Sequence, residues 1–292
     1  MVQLSFLSLL LGLAALPAET QSLPKQLAAV RRRSGLTHAE YLQYLTLVHG
    51  QKSWNAPRDS AFPLVYTQNY VFDSVFGANN SVGNQAYVGR DSVIELYSSA
   101  PTSFIGPPPS NYTETVIGPD GENFNDMPVA MSTLATETFL NDITHGPASA
   151  QPKDNTAPLV AFFWAIGTKD VTSNETFARD LADALIKPLP AGILCNASYH
   201  VPVPGADLRP YYGGQDMPIV NAVIKMWLSE NVSSMAEVRS AQTQLNNSQL
   251  HLDENLSFML FSKEVTVWDT TANISFSIPR LTEVLKKETY AF

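Results

Sequence analysis

Ser92-Val93-Ile94-Glu95-Leu96-Tyr97 and Ala222-Val223-Ile224-Lys225-Met226-Trp227 are one strand pattern written twice, 130 residues apart. In each, alternate residues share a face. One face carries Val, a charged residue and an aromatic ring; the other carries aliphatic side chains only. Two more pairs recur at nearly the same spacing: the strand openings at Leu27 and Leu159, and the helix caps at Thr37 and Ser173. Three features in one order at one spacing mark an internal duplication.

Working outward, the first half reads as a strand Gln26–Arg32 stopped by Ser34-Gly35, then a helix capped by Thr37. Glu40 completes its capping box. Leu42, Leu45 and Val48 at helical spacing carry this helix to about His49 and Gly50. Strands follow over Leu64–Ser74 and Ser92–Ser98, and a last one over Val129–Phe139. The helix between those two is weak, because Pro107-Pro108-Pro109 cannot lie inside one. The second half repeats the order. Strand Leu159–Ile166 and a turn at Gly167–Thr172 lead to a helix capped by Ser173 or Asn174, with Phe177, Leu181, Leu185 and Ile186 on one face. Strands Gly192–Val201 and Ile219–Leu228, a helix Ser233–Leu245, a long strand Leu256–Trp268 and a tail helix Leu281–Lys287 complete it.

The predicted fold class is therefore α+β: tandem ferredoxin-like (β-α-β-β-α-β) repeats forming an intramolecular α+β barrel. The expected division is 1–18 signal peptide, 24–145 first repeat, 146–157 linker, 158–278 second repeat and 279–292 tail. A sheet with helices on one face leaves its other face open. Phe162-Phe163-Trp164 and Phe258-Met259-Leu260-Phe261 are apolar on both faces. The expectation is two sheets closed face to face around an apolar chamber.

The 292 residues are 45% apolar and 15% charged, enough for a sizeable core. A net charge of −9 with no basic stripe argues against a nucleic-acid partner. Leu4–Leu16 is an apolar run too short to span a bilayer and is followed by small residues, which reads as a secretory signal cleaved after Ala18 or Thr20. N-x-Ser/Thr acceptors at Asn79, Asn111, Asn174, Asn196, Asn231, Asn246, Asn255 and Asn273 agree with a secreted or vesicular glycoprotein without a membrane span. Asn196 and Asn255, at predicted strand starts, are expected to be shielded. Cys195 is the single cysteine, so no intrachain disulfide forms; its apolar setting suits a small hydrophobe. No glycine-rich dinucleotide or phosphate loop and no Gly-x-Ser-x-Gly elbow occurs, and Gly213-Gly214 is a turn. His38, His49, His145, His200 and His251 form no metal-ligand spacing. Chemistry without metal or cofactor is expected.

The stretch from Arg31 to Gly50 (RRRSGLTHAEYLQYLTLVHG) resembles the opening motif of EthD-type dimeric α+β barrel proteins: basic residues after a strand, Ser-Gly-Leu-Thr, an acidic helix start, two aromatics, Val-His-Gly. Gly118-Pro119-Asp120-Gly121-Glu122-Asn123-Phe124 resembles the segment before that family's last strand. The resemblance covers residues 26–140; the second half matches in layout and lacks a Val-His-Gly. It implies a cofactor-free decarboxylase, dehydratase or cyclase. The signal, the acceptors and the duplication together look similar to fungal hetero-Diels–Alderases of tropolone-sesquiterpenoid biosynthesis. That likeness implies a [4+2] addition between an o-quinone methide or tropolone and a terpene alkene. The alternatives are a decarboxylase or dehydratase of an aromatic polyketide, and a non-enzymatic carrier. Expected partners are small hydrophobic polyketide or terpenoid substrates and a second copy in a homodimer.

Strand alternation nominates the chamber lining: Tyr66, Gln68, Tyr70 and Phe72 on one strand face, Glu95 and Tyr97 opposite Lys225 and Trp227, and either Tyr199 or His200. Glu95 and Lys225 are expected to bridge the two sheets as a charge pair. Catalytic roles fall to His49 and Tyr70. Their structural alternatives are a helix-end cation for His49 and a core hydroxyl for Tyr70. Arg31–Arg33 are solvated strand-end charges or an anchor for an acidic substrate.

Overall fold

Pro24–Val30 (β1), Val65–Phe76 (β2), Ser92–Tyr97 (β3) and Met131–Phe139 (β4) form one antiparallel sheet in the order β4-β1-β3-β2. Leu159–Ala165 (β5), Leu194–Pro202 (β6), Ala222–Leu228 (β7) and Phe258–Asp269 (β8) repeat that order as β8-β5-β7-β6. This computed structural model is described for residues 24–59, 62–77, 86–99, 110–140, 157–209, 214–230 and 232–289. The predicted signal segment, most of the predicted linker, the Pro107–Pro109 run, Asn79 and Asn231 lie outside the described residues.

The two sheets face each other across the barrel axis and are also joined at both edges. β2 pairs with β8 and β4 with β6, so eight strands close into one barrel and no sheet edge is left unpaired among them. The fold class is as the sequence predicted: tandem ferredoxin-like repeats forming an α+β barrel inside one chain. The register moves one expectation. Leu27 pairs with Glu95 and Phe162 with Lys225, so Leu27 corresponds to Phe162 rather than to Leu159. β5 is buried at every position and carries no alternation from which its register can be read.

Three cores result. Inside the barrel lie Leu27, Val93, Phe162, Trp164, Val223, Phe258 and Leu260. Outside the second sheet, Phe163, Ile224, Met226 and Phe261 meet Asn174–Ile186 (α3) and Val232–Thr243 (α4) through Leu181, Leu185 and Val238. Outside the first sheet, Ala28, Tyr66, Tyr70 and Val267 meet the first helix through Tyr41, Leu42 and Leu45.

That first helix (α1) starts as predicted, with Thr37 and Glu40 making both capping-box bonds over His38–Gln43. It does not stop at Gly50. Tyr44–His49 is a π-helical turn, in which the Gly50 amide donates to the Leu45 carbonyl, and Gly50–Trp54 continues as α-helix. A Cβ at Gly50 would meet Phe276 Cε2 at 3.1 Å and Val267 Cγ1 at 3.6 Å. This glycine serves close approach to β8, not helix termination. The weak second helix of the first half is a short turn, Thr113–Ile117 and Gly118–Gly121 (α2). The tail helix Ile278–Thr289 (α5) joins the first sheet's outer core instead, through Leu281, Val284 and Leu285. No described helix is long and apolar enough to cross a membrane.

Gly214 lies where a Cβ would collide with the Ala130 carbonyl oxygen, a backbone atom that cannot swing aside. Gly214→Ala is expected to cost about 1–3 kcal/mol, read as a lowered urea midpoint.

Candidate active site

Alternation around the closed barrel turns Lys25, Glu95, Glu137, His200, Lys225 and Glu264 toward its axis, all of them at most 11% exposed. Glu95 is shared between two ammonium groups: Lys25 Nζ stands 2.5 Å from Oε2 and Lys225 Nζ 2.7 Å from Oε1. Asn69 Nδ2 also donates to Oε1, at 2.8 Å. The predicted sheet-bridging pair is thus real, and a second lysine joins it.

Each lysine meets two carboxylates. Lys25 also donates to Glu137 Oε1 at 3.1 Å and contacts His200 Nε2 at 2.9 Å, and it sits 4.6 Å from the Tyr97 ring centroid. Lys225 pairs with Glu264 and lies 4.3 Å from the Trp227 ring. His200 Nδ1 is 3.0 Å from the Val223 carbonyl, an acceptor only, so Nδ1 carries the hydrogen. Its Nε2 lone pair then faces the Lys25 ammonium. Burial and the Lys25 charge keep this imidazole below its usual range, and it stays neutral. Ser198 Oγ donates to Glu137 Oε1 at 2.8 Å.

The electrostatics follow. Burial works to raise the Glu95 carboxyl, but Lys225 and Lys25 outweigh it and hold it at about 2. Burial likewise opposes ionisation of Glu137, and the Lys25 ammonium overrides it, holding this carboxyl well below its usual range. Burial pulls Lys225 down while Glu264 and Glu95 more than restore it. Two ammonium groups against three carboxylates leave the network one proton short of neutral. Toward the β3 C-terminal end it reaches a mouth: half-buried Tyr97, Trp227, and Phe139, which is 48% exposed and stacks on Trp227 with centroids 6.0 Å apart. Burial, then Glu137 and Glu95, push the Tyr97 phenol well above its ordinary pKa, so it remains a proton donor.

Several nominated residues lie elsewhere. Tyr66, Gln68 and Tyr70 face the helices, not the axis. Tyr70 Oη is 2.7 Å from Thr46 Oγ1, Thr46 Oγ1 donates to Gln68 Oε1 at 2.8 Å, and Gln68 Nε2 donates to Tyr66 Oη at 2.9 Å. Phe72 packs on the outer core of the second sheet. The inward face of β2 is that of Asn69. Tyr and Gln misled because the helix layer over β2 is itself polar, with Thr46 beneath the π turn. Tyr199 also points out, donating to Glu175 at 2.8 Å, and His200 takes the axis. His49 lies on the helix layer, its Nδ1 2.9 Å from Asp120 Oδ2 and its ring 4.9 Å from Phe124. Tyr44 and Lys52 meet the same carboxylate at 2.8 and 2.5 Å. The two segments that carried the resemblance therefore clasp each other outside the barrel. Lys25, Glu137, Ser198 and Glu264 were missed; the last three sit in strands whose pattern showed only polar residues in apolar runs. No three His, Cys, Asp or Glu side chains converge as a metal site among the described residues. Between Glu95, Glu137 and His200 the cation position is taken by the Lys25 ammonium.

Fold and site together define a duplicated α+β barrel with an ionised axis. No family model matches the chain, and no curated protein does. Among solved structures it is similar to an anthrone oxidase-like protein (8% identity, 86% of this chain and 96% of that one, TM-score 0.49). A chlorite dismutase variant from Candidatus Nitrospira defluvii (8%, 92% and 96%, TM-score 0.47) and a protein titled a monooxygenase from Fusobacterium nucleatum (8%, 84% and 93%, TM-score 0.44) are also similar. At these values none of them assigns a reaction to this chain.

Removing one partner from a buried ionic network strands the others, so Glu95→Gln is expected to cost about 3–5 kcal/mol at pH 7. His200, held below 6.5, stabilises the fold fully above that pH and loses its share as pH falls beneath it. Glu95, lowered from 4.5 to about 2, loses its share between those values. Urea midpoints should fall from pH 6.5 downward in the wild type, with the segment below 4.5 flattened in Glu95→Gln; an unchanged profile would contradict the geometry.

Proposed function

We propose that the chain is a cofactor-independent enzyme acting on a small organic molecule at the Tyr97 mouth. The observation that carries this is a protonated phenol set on a buried network of three carboxylates, two ammonium groups and a neutral imidazole. Burying five charges is costly unless each is paired. Such an array holds Tyr97 as a protonated donor. An all-apolar lining would suit a carrier; this lining does not.

The particular reaction we propose is loss of water from a benzylic alcohol that carries an ortho hydroxyl: Tyr97 protonates the departing hydroxyl, the C–O bond breaks to release water, and the ortho-hydroxyl proton returns to the Tyr97 phenolate, giving an o-quinone methide. That heterodiene then adds [4+2] to a terpene alkene held against Trp227 and Phe139. General acid assistance contributes roughly 10²–10⁴-fold, and orientation of the two reactants recovers part of the roughly 7–11 kcal/mol open to well-aligned systems. The second reading, a dehydratase or decarboxylase of an aromatic polyketide, is favoured by the same acid–base network and needs no room for a second reactant.

Incubation with a benzylic-hydroxy tropolone and a macrocyclic sesquiterpene alcohol separates them. Faster dehydration with a stereochemically biased adduct supports the cycloaddition. Faster dehydration with a racemic adduct leaves the lyase, and no gain over buffer removes the cycloaddition. Tyr97→Phe should slow dehydration about 10²-fold, of the size of one general acid.

We also propose passage through the secretory pathway. Asn111, Asn246, Asn255 and Asn273 are exposed, Asn255 contrary to expectation because it precedes β8 in a turn. Asn174 accepts a bond from Asn221 and Asn196 folds back on the Ala197 amide. Produced in a eukaryotic secretory host, the chain should lose mass on endoglycosidase treatment, and Asn→Gln changes at the four exposed acceptors should remove most of that loss.

A further inference from the structure

At the opposite end of β3 from Tyr97 lies a cavity of about 390 Å³, walled by Val71 and Phe72 and rimmed by Arg32, His38, Asp91 and Arg90. Arg90 is 4% exposed. Its guanidinium spends Nη1 on the Gly89 carbonyl at 2.6 Å and reaches the Ala86 carbonyl from Nη2 only at 3.5 Å. Nε is buried without a hydrogen-bond partner. Of the nearby carboxylates, Asp91 is met by Arg32 and by His38 Nδ1 at 2.8 Å and Asp126 by Arg31 at 2.6 Å, while Asp73, at the exposed edge of the cavity, accepts from the Ser74 amide at 2.8 Å. Burial, reinforced by the Arg31 charge, pushes the Arg90 guanidinium down to about 10. The face of the Phe258 ring, 5.6 Å away, is the remaining compensation on the barrel side.

A buried cation without a counter-ion is costly. The side of a guanidinium that bears Nε and Nη2 presents two parallel donors, matched to two oxygens of one planar anion. We propose that this cavity binds a small planar organic oxyanion, a carboxylate or an acidic enol, with its two oxygens on the Nε–Nη2 side of Arg90 and its body against the Val71–Ser74 stretch of β2. The volume is that of a pocket for one ring-sized molecule. Arg32 and His38, already fixed by Asp91, close the rim. The site is separate from the Tyr97 mouth and does not depend on the reaction proposed there.

Calorimetric titration of the intact chain tests it, with benzoate as the carboxylate probe, tropolone as the acidic-enol probe and benzamide as a neutral isostere. Benzoate or tropolone is expected to bind at least about tenfold more tightly than benzamide, a difference of one charge-assisted contact. Whichever of the two binds more tightly identifies the source chemistry. Arg90→Lys keeps the charge but loses the paired donors and should weaken the anion about tenfold or more. Ser74→Trp, at an exposed position on the rim, should block the cavity without touching the core. If Arg90→Lys does not fold by circular dichroism, Ser74→Trp decides. Absence of binding at about 10 mM, equal affinity for benzamide, or binding that survives Ser74→Trp overturns the proposal.

Discussion

One carboxylate, that of Glu95, stands between two lysines on the barrel axis, and the closure of the molecule turns on it. Equivalent strands of a duplicated chain bring equivalent positions together across the pseudo-two-fold. Glu95 and Lys225 are such positions, and their opposite charges convert what would be like-charge repulsion into the central ion pair. Two copies of the first half would set Glu95 against itself, and two copies of the second half Lys225 against itself. In a low-dielectric interior either is severely unfavourable. The halves are thus complementary to each other.

The duplication is otherwise incomplete in a way that polarises the axis. Lys25 faces Tyr97 in register, while its counterpart facing Trp227 is Val160. Glu137 and Glu264 occupy matching places, but only Glu137 is joined by a histidine and a serine. The Lys25–Glu137 side of the axis therefore holds the neutral imidazole and the phenol, whereas the Lys225–Glu264 side presents the Trp227 and Phe162 rings.

The helix layers show a similar economy of parts. Two helices cover the second sheet. Over the first, α1 is joined by the C-terminal helix, and among the described residues between β3 and β4 the α2 turn is short. Asp120, in that turn, is nearly inaccessible and collects His49, Lys52 and Tyr44, fastening α2 to the far end of α1. The best-matched motif of the chain is, in this molecule, a clasp between outer elements. A polar layer of Thr46, Gln68, Tyr66 and Tyr70 beneath the π turn completes the seam, with its hydroxyls satisfied by each other.

By itself the sequence determined the fold class, the order of elements, the Thr37 cap and the meeting of Glu95 with Lys225, because each is set by local pattern or by matched spacing. Tertiary structure alone decided which face of β2 turns inward, where β5 sits in register, that the sheets join at their edges, and that Lys25, Glu137 and His200 converge. The physical reason is common to all four. A strand of period two offers two faces, and when both are buried, one against helices and one against an axis, polarity no longer tells them apart. Only closure of the ring assigns one of them to the interior.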